Sequence, residues 1–236
     1  MSPWGPLRER DPHAVEDMDR PDCDLQRLNR SYARFPVVNY LLSGWRRTYQ
    51  ERLRPILETR GSATVLDVGC GGGDVARSLA RWAAKDGFEL QVTGIDPDER
   101  AYGFAVRAPA VKGVSYRRTH TSELVAEGLA FDVVLSNHVL HHLNPEQLAG
   151  MLRDSEALSS GIVLHNDLKR SNLSYALFAA GFWPLGLGSF ICGDGLISIA
   201  RSYTAPELRN AAPARWTVEG NGPWHHFLVY RRDEPL

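Results

Sequence analysis

The stretch Thr64–Asp74, TVLDVGCGGGD, constrains the fold of this chain more than any other. Thr64, Val65 and Leu66 suit a buried strand, Asp67 puts a carboxylate at its end, and glycines follow at 69, 71, 72 and 73. Beyond them Val75, Leu79, Trp82 and Ala83 recur at helical spacing. The stretch reads as strand, tight turn, helix. Glycines allow positive φ there and let a ligand lie against the N–H groups that open the helix.

Three details argue against a dinucleotide as that ligand. The dinucleotide fingerprint is G-x-G-x-x-G with pyrophosphate at the helix entrance, whereas Gly69, Gly71 and Gly73 are spaced G-x-G-x-G and an acid, Asp74, follows. Asp67 suits a ligand bearing an ammonium group. S-adenosylmethionine has one, with a sulfonium and no phosphate. The next strand, Leu90–Ile95, ends in Asp96, a carboxylate placed to accept both hydroxyls of a ribose.

Taken in order, VLDVGCGGGD, GIDPD and FDVVLSNHVLHHL resemble the motifs of class I S-adenosylmethionine-dependent methyltransferases, in the branch with UbiE-like and small-molecule O-methyltransferases. The resemblance covers Leu53–Leu168 well and the two ends poorly. It implies an α/β fold, a doubly wound and mostly parallel seven-stranded sheet, with S-adenosylmethionine as cofactor and S-adenosylhomocysteine as product. It also implies cofactor contacts from Asp67, Gly69, Cys70, Gly71, Asp74, Asp96 and Pro97, and from Asn137 at the tip of the fourth strand. Where the family has an acid beside a small residue after its third strand, this chain has His120 and Thr121. His120 is read equally as an adenine contact and as an exposed loop residue. Arg46, on helices that cap the pocket in related enzymes, is a candidate partner for the cofactor's carboxylate.

Composition bounds the partners. A net charge of −1 over 236 residues, with basic residues only in doublets such as Arg46-Arg47, does not suit a nucleic-acid binder. Cys23, Cys70 and Cys192 are odd in number and lack metal-ligand spacing, so reduced thiols, a cytoplasmic location and no metal are expected. No apolar run reaches membrane-spanning length. Residues 1–23, rich in charge and proline, are expected to be mobile or loosely docked; residues 24–60 form a helical cap with breaks at Pro36 and Pro55 and a bend at Gly44. Residues 61–236 form the Rossmann-like domain. Within it, 168–203 is an apolar, aromatic segment that suits a lid over an apolar or aromatic acceptor and equally a homodimer surface, with Asp194 in a turn expected to face the pocket. Thr204-Ala-Pro-Glu207 is a helix start, and Arg215–Glu219 with His225–Arg231 a closing hairpin.

Chemistry is expected from histidines. If Asn137–Pro145 is helical, His138, His141 and His142 share a face. They lack the glutamate of a zincin and a third-ligand pattern, which argues against a metal pair. Capping or packing is the plain role for them. The sharper role is a general base for a phenol, with His141 preferred and His138 behind it. His165 and Asp167, at the end of the fifth strand, are further catalytic candidates or anchors of the next loop. The function expected is methyl transfer to a phenolic or quinol hydroxyl of a secondary metabolite. The alternatives are C- or N-methylation, an NAD-dependent oxidoreductase on the same sheet, and a non-enzymatic or macromolecule-directed cofactor binder.

Overall fold

Each apolar run that reads as a strand enters one sheet. The computed structural model describes residues 7–182 and 186–232. Its strands are β1 (Ser62–Val68), β2 (Glu89–Ile95), β3 (Val114–Arg117), β4 (Phe131–Asn137), β5 (Ser159–Leu168), β6 (Thr217–Asn221) and β7 (His225–Arg231), ordered β3-β2-β1-β4-β5-β7-β6. The first five pair in parallel, with Val65 facing both Val92 and Val133, and β7 joins β5 antiparallel. The chain leaves β1 in one direction and returns to β4 on the other side. A crevice therefore opens at the carboxyl ends of β1 and β4.

Helices cover both faces, which is why the strands are continuously apolar. Val65, Val133 and Leu135 pack on α4 (Asp74–Lys85) through Val75, Leu79 and Ala83, while Leu66, Val134 and Val163 pack on α7 (Pro145–Leu158) through Leu148 and Leu152. After β2 the Asp98 side chain caps α5 (Glu99–Arg107) by accepting the Arg100 N–H. The expected hairpin is β6–β7, and Thr204 caps α10 (Ala205–Ala211) with Glu207 closing the capping box. Among the described residues, no helix is long and apolar enough to cross a membrane.

The cap differs from expectation at both prolines. Helix α1 (Leu25–Leu42) runs straight through Pro36. A π-helical turn, Tyr49–Leu53, links α2 (Trp45–Thr48) to α3 (Arg54–Arg60), with the Arg54 N–H donating to the Tyr49 carbonyl. That wider turn shifts the bonding register just ahead of Pro55, where an amide hydrogen is missing, so the helix continues. The bend at Gly44 is real: it has φ of 68° and joins α1 to α2. The preceding Ser43 carbonyl accepts the side-chain amides of Asn166 at 3.3 Å and Asn221 at 3.0 Å, which fastens the junction to the sheet.

Of the segment 1–23, expected to be mobile or loosely docked, residues 1–6 lie outside the described residues, and 7–23 lie against the lid segment and the histidine stretch. The Asp11 N–H donates to the Ala200 carbonyl, Arg10 donates to the carbonyls of His141 and Arg201, and Glu16 is buried with its carboxylate accepting from Ser198. Asp194 is not in a turn but inside α9 (Ile191–Arg201), where it accepts the N–H groups of Asp17 at 2.9 Å and Met18 at 3.0 Å. Partners distant in sequence supply these contacts, and no local pattern encodes them. The lid segment holds α8 (Asn172–Gly181) and α9; its residues 183–185 lie outside the described residues.

Candidate cofactor and acceptor site

The crevice widens into a cavity of about 440 Å³ between the strand tips, the cap and the lid. That is within the range of small-molecule pockets. The glycine turn forms its floor. The Cys70 N–H donates to the Ile95 carbonyl and the Gly71 N–H to Asp96, both at 3.0 Å, which ties the turn to β2. Two glycines are required by packing as well as by backbone. Gly69 has φ of 64° and a Cβ there would fall 2.6 Å from Val139, while Gly73 has φ of 73° and a Cβ would fall 2.5 Å from the Tyr116 ring. At Gly71 a Cβ would meet only Tyr32, at 3.9 Å, so the turn is open toward the cavity.

Asp67 is the unusual group. Its side chain is 1% exposed and neither carboxylate oxygen has a hydrogen-bond partner of normal geometry. Burial, then the nearby carboxylates of Asp74 and Asp96, raises its pKa well above the usual range. A buried carboxylate left in that condition is costly unless a cation comes to it. Asp96 holds the N–H groups of Gly71 and Asp98, and Asp74 accepts from Asn39 at 2.9 Å. Asn137 accepts from Trp45 and Asn166, both at 2.9 Å, so the cap and two strand tips share one amide.

Of the cofactor residues expected from sequence, Asp67, Gly69, Cys70, Gly71, Asp74, Asp96, Pro97 and Asn137 all line this cavity. Three do not. His120 is exposed ahead of α6 (Thr121–Ala126), with its N–H on Glu123, and the Thr121 hydroxyl donates to Asp154. Arg46 lies over the rings of Trp82 and Tyr49 on the flank of the cap, where stacking holds it.

Among the catalytic candidates, His138 and His141 line the cavity and His165 and Asp167 do not. The segment is not a continuous helix: Leu140–His142 is a single 3-10 turn and α7 starts only at Pro145. His138 has φ of 59°, and its Nε2 is 2.8 Å from that of His225; burial lowers its pKa to about 4, so it is neutral. His165 is buried against Trp216 and bonded to Ser136, a packing role, and burial lowers its pKa to about 3.

His141 is buried between carboxylates. Its Nδ1 is 2.6 Å from Asp167 and its Nε2 3.3 Å from Glu16. Burial opposes its charge, but the paired Asp167 and Glu16 outweigh that and raise its pKa above the ordinary value. It therefore holds its proton at neutral pH, which does not suit a general base. Asp167 and Glu16 are both lowered, against burial, by the same histidine. Glu16, Asp19, Asn39, Asp194 and Ser198 also line the cavity. Sequence reasoning finds none of the first three or Ser198 as pocket residues, and it puts Asp194 on the wrong element. Nothing in the spacing of an aperiodic, charged stretch marks Glu16.

The description "methyltransferase domain" fits a family that matches residues 65–158. A ubiquinone biosynthesis O-methyltransferase from Methylocella silvestris is 36% identical over 154 residues, 61% of this chain and 57% of that protein. One from Rhizobium leguminosarum bv. trifolii is 41% identical over 81 residues, 34% of this chain and 30% of that protein. The chain thus spans between about a third and just over half the length of these relatives. Among solved structures, the plantazolicin methyltransferase BpumL in complex with a pentazolic desmethylPZN analog and SAH superposes with a TM-score of 0.57 at 16% identity, over 88% of this chain and 96% of that one. Magnesium protoporphyrin IX methyltransferase from Synechocystis PCC 6803 with bound SAM does so with a TM-score of 0.53 at 14% identity, over 94% and 99%. Those likenesses show the fold. Residues 65–158 match the methyltransferase-domain family, and the sheet that carries them has the Rossmann-like fold of these solved methyltransferase structures.

Proposed function

We propose that this chain transfers the methyl group of S-adenosylmethionine to a hydroxyl oxygen of a small aromatic or apolar acceptor, a phenol or quinol of a secondary metabolite. The observation that carries the cofactor half is Asp67, a buried carboxylate without a partner at the edge of an open glycine cradle. S-adenosylmethionine supplies a methyl carbon made electrophilic by a positively charged sulfur. In this reading Asp67 takes the ammonium, Asp96 the ribose hydroxyls, and the backbone of Gly69–Gly71 lies against the cofactor. Phe35, Val38, Leu42, Phe178, Ile191 and Ile199 give the rest of the cavity an apolar wall that orients an acceptor and excludes water. Oxygen as the accepting atom is supported by the names of the relatives, which are O-methyltransferases.

Incubation with methyl-labelled cofactor and a panel of phenols, quinols and amines tests the reading. Label is expected in a methoxy group. Label on nitrogen or carbon would reject the oxygen assignment, and calorimetry showing no uptake of the cofactor would reject the whole.

Affinity for the cofactor should also depend on pH through Asp67. An ammonium binds the ionised carboxylate, and the ligand-free group is raised. Binding is therefore at full strength above that raised value and weakens as pH falls below it, by up to about tenfold per unit. Calorimetry at a series of pH values upward from the ordinary carboxylate value of 3.8 reads this slope; an affinity for the cofactor that rises nowhere along the series would remove Asp67 from the binding reaction.

A further inference from the structure

We propose that Glu16, His141 and His142 bind a divalent transition-metal ion in the wall of the acceptor cavity. Among the described residues, these three each offer one ligand atom, and those atoms all lie within 4.8 Å of one another. Glu16 Oε1 is 3.3 Å from His141 Nε2 and 3.8 Å from His142 Nε2. Donors bound at about 2.1 Å around a tetrahedral zinc ion lie about 3.4 Å apart, so the two edges that meet at Glu16 are close to those of such a shell, and the edge between the histidines is within 4.8 Å. All three residues line the cavity.

The surroundings are those of ligands fixed in advance. His141 Nδ1 is 2.6 Å from Asp167 and His142 Nδ1 is 3.1 Å from Asp19, so each ring has a carboxylate on one nitrogen and turns the other toward Glu16. Carboxylates placed this way set the tautomer and orientation of metal-binding histidines. Glu16 is itself held by the Ser198 hydroxyl, at 2.7 Å. The contact between two of these ligands is a loose one. His141 is 1% exposed, and its Nε2 has the Glu16 carboxylate at 3.3 Å as an ion-pair partner, without hydrogen-bond geometry good enough to satisfy a buried nitrogen fully.

Two imidazoles and one carboxylate suit zinc, cobalt, iron or manganese in the divalent state rather than magnesium or calcium, which take oxygen donors. Three protein ligands leave a position open to the cavity. A bound ion would there make the proton of a coordinated water or acceptor hydroxyl easier to lose. The sequence spacing conceals the site because its third ligand comes from the docked segment 7–23 and not from the histidine stretch.

The test is a metal titration of the full chain, stripped with a chelator, in the absence of cofactor and acceptor. It is independent of the methyl-transfer reading, since either can fail without the other. Zn²⁺ is followed by calorimetry and Co²⁺ by its visible absorption. One equivalent is expected, without the near-ultraviolet band of a cobalt thiolate, and with little or no uptake of Mg²⁺. His142→Ala, at a side chain 29% exposed, and Glu16→Gln should each weaken uptake by about a hundredfold while the circular dichroism of the metal-free chain stays that of the parent. No uptake, a thiolate band, or an affinity that neither substitution changes would overturn the proposal.

Discussion

Replacing Asp67 with asparagine is expected to weaken S-adenosylmethionine binding by roughly thirtyfold or more, and at the same time to raise the melting temperature of the ligand-free chain. The first effect is the loss of a desolvated charge partner, for which about 2–5 kcal/mol is typical. The second follows from linkage. The carboxyl is raised in the folded chain above its ordinary value of 3.8, so folding is favoured at low pH and loses stability as pH rises past that value. Asparagine has the same shape and carries no such loss at neutral pH. Calorimetry and thermal denaturation measure the two halves separately. A variant that binds the cofactor as tightly as the parent would contradict the assignment of Asp67, whatever its stability.

Gly73→Ala should cost about 3 kcal/mol, near the middle of the range set by about 1–2 for a left-handed residue with a Cβ and about 1–3 for a side chain forced into a filled space. The space is filled by the Tyr116 ring, which cannot turn away freely: its hydroxyl donates to the Gly73 carbonyl at 3.1 Å and accepts from Arg77 at 2.9 Å. For a chain of this size the melting temperature should fall by roughly 6–12 °C. Gly61→Ala is the matched control. Gly61 has φ of 77°, and a Cβ added to it would meet nothing within 4 Å, so only the backbone cost applies there. Thermal denaturation of the pair should separate them by at least about 1 kcal/mol. Equal losses would show that the ring moves aside.

The sheet and the cofactor edge are legible in the sequence because their signals are local. Asp67, Asp96 and Asn137 sit where strands end, and strand ends can be read from β-branched runs of a few residues. The turn glycines and the capping box at Thr204 are local in the same sense. The acceptor side is legible only in composition. Pro36 and Pro55 read as breaks because local rules cannot see a tertiary context that carries a helix through them, and Asp194 reads as a turn because glycine flanks it on both sides. Glu16 cannot be found at all, since its partners His141 and Ser198 are far away in sequence. Arg46 and His120 gain their expected roles from resemblance, and the structure puts one against aromatic rings and the other in solvent.

The carbonyl of Ser43 has a further consequence. It is gripped by Asn166 from β5 and by Asn221 from the final hairpin, and Asn221 also donates to Asn166 at 2.8 Å. The early helices are thus anchored by residues more than a hundred positions further along the chain. During synthesis on the ribosome Asp67, the glycine turn and Asp96 can assemble before Asn166 and Asn221 have emerged, while the helices above them stay unfastened until both arrive. Competence to take up a substrate then comes later than the cradle itself.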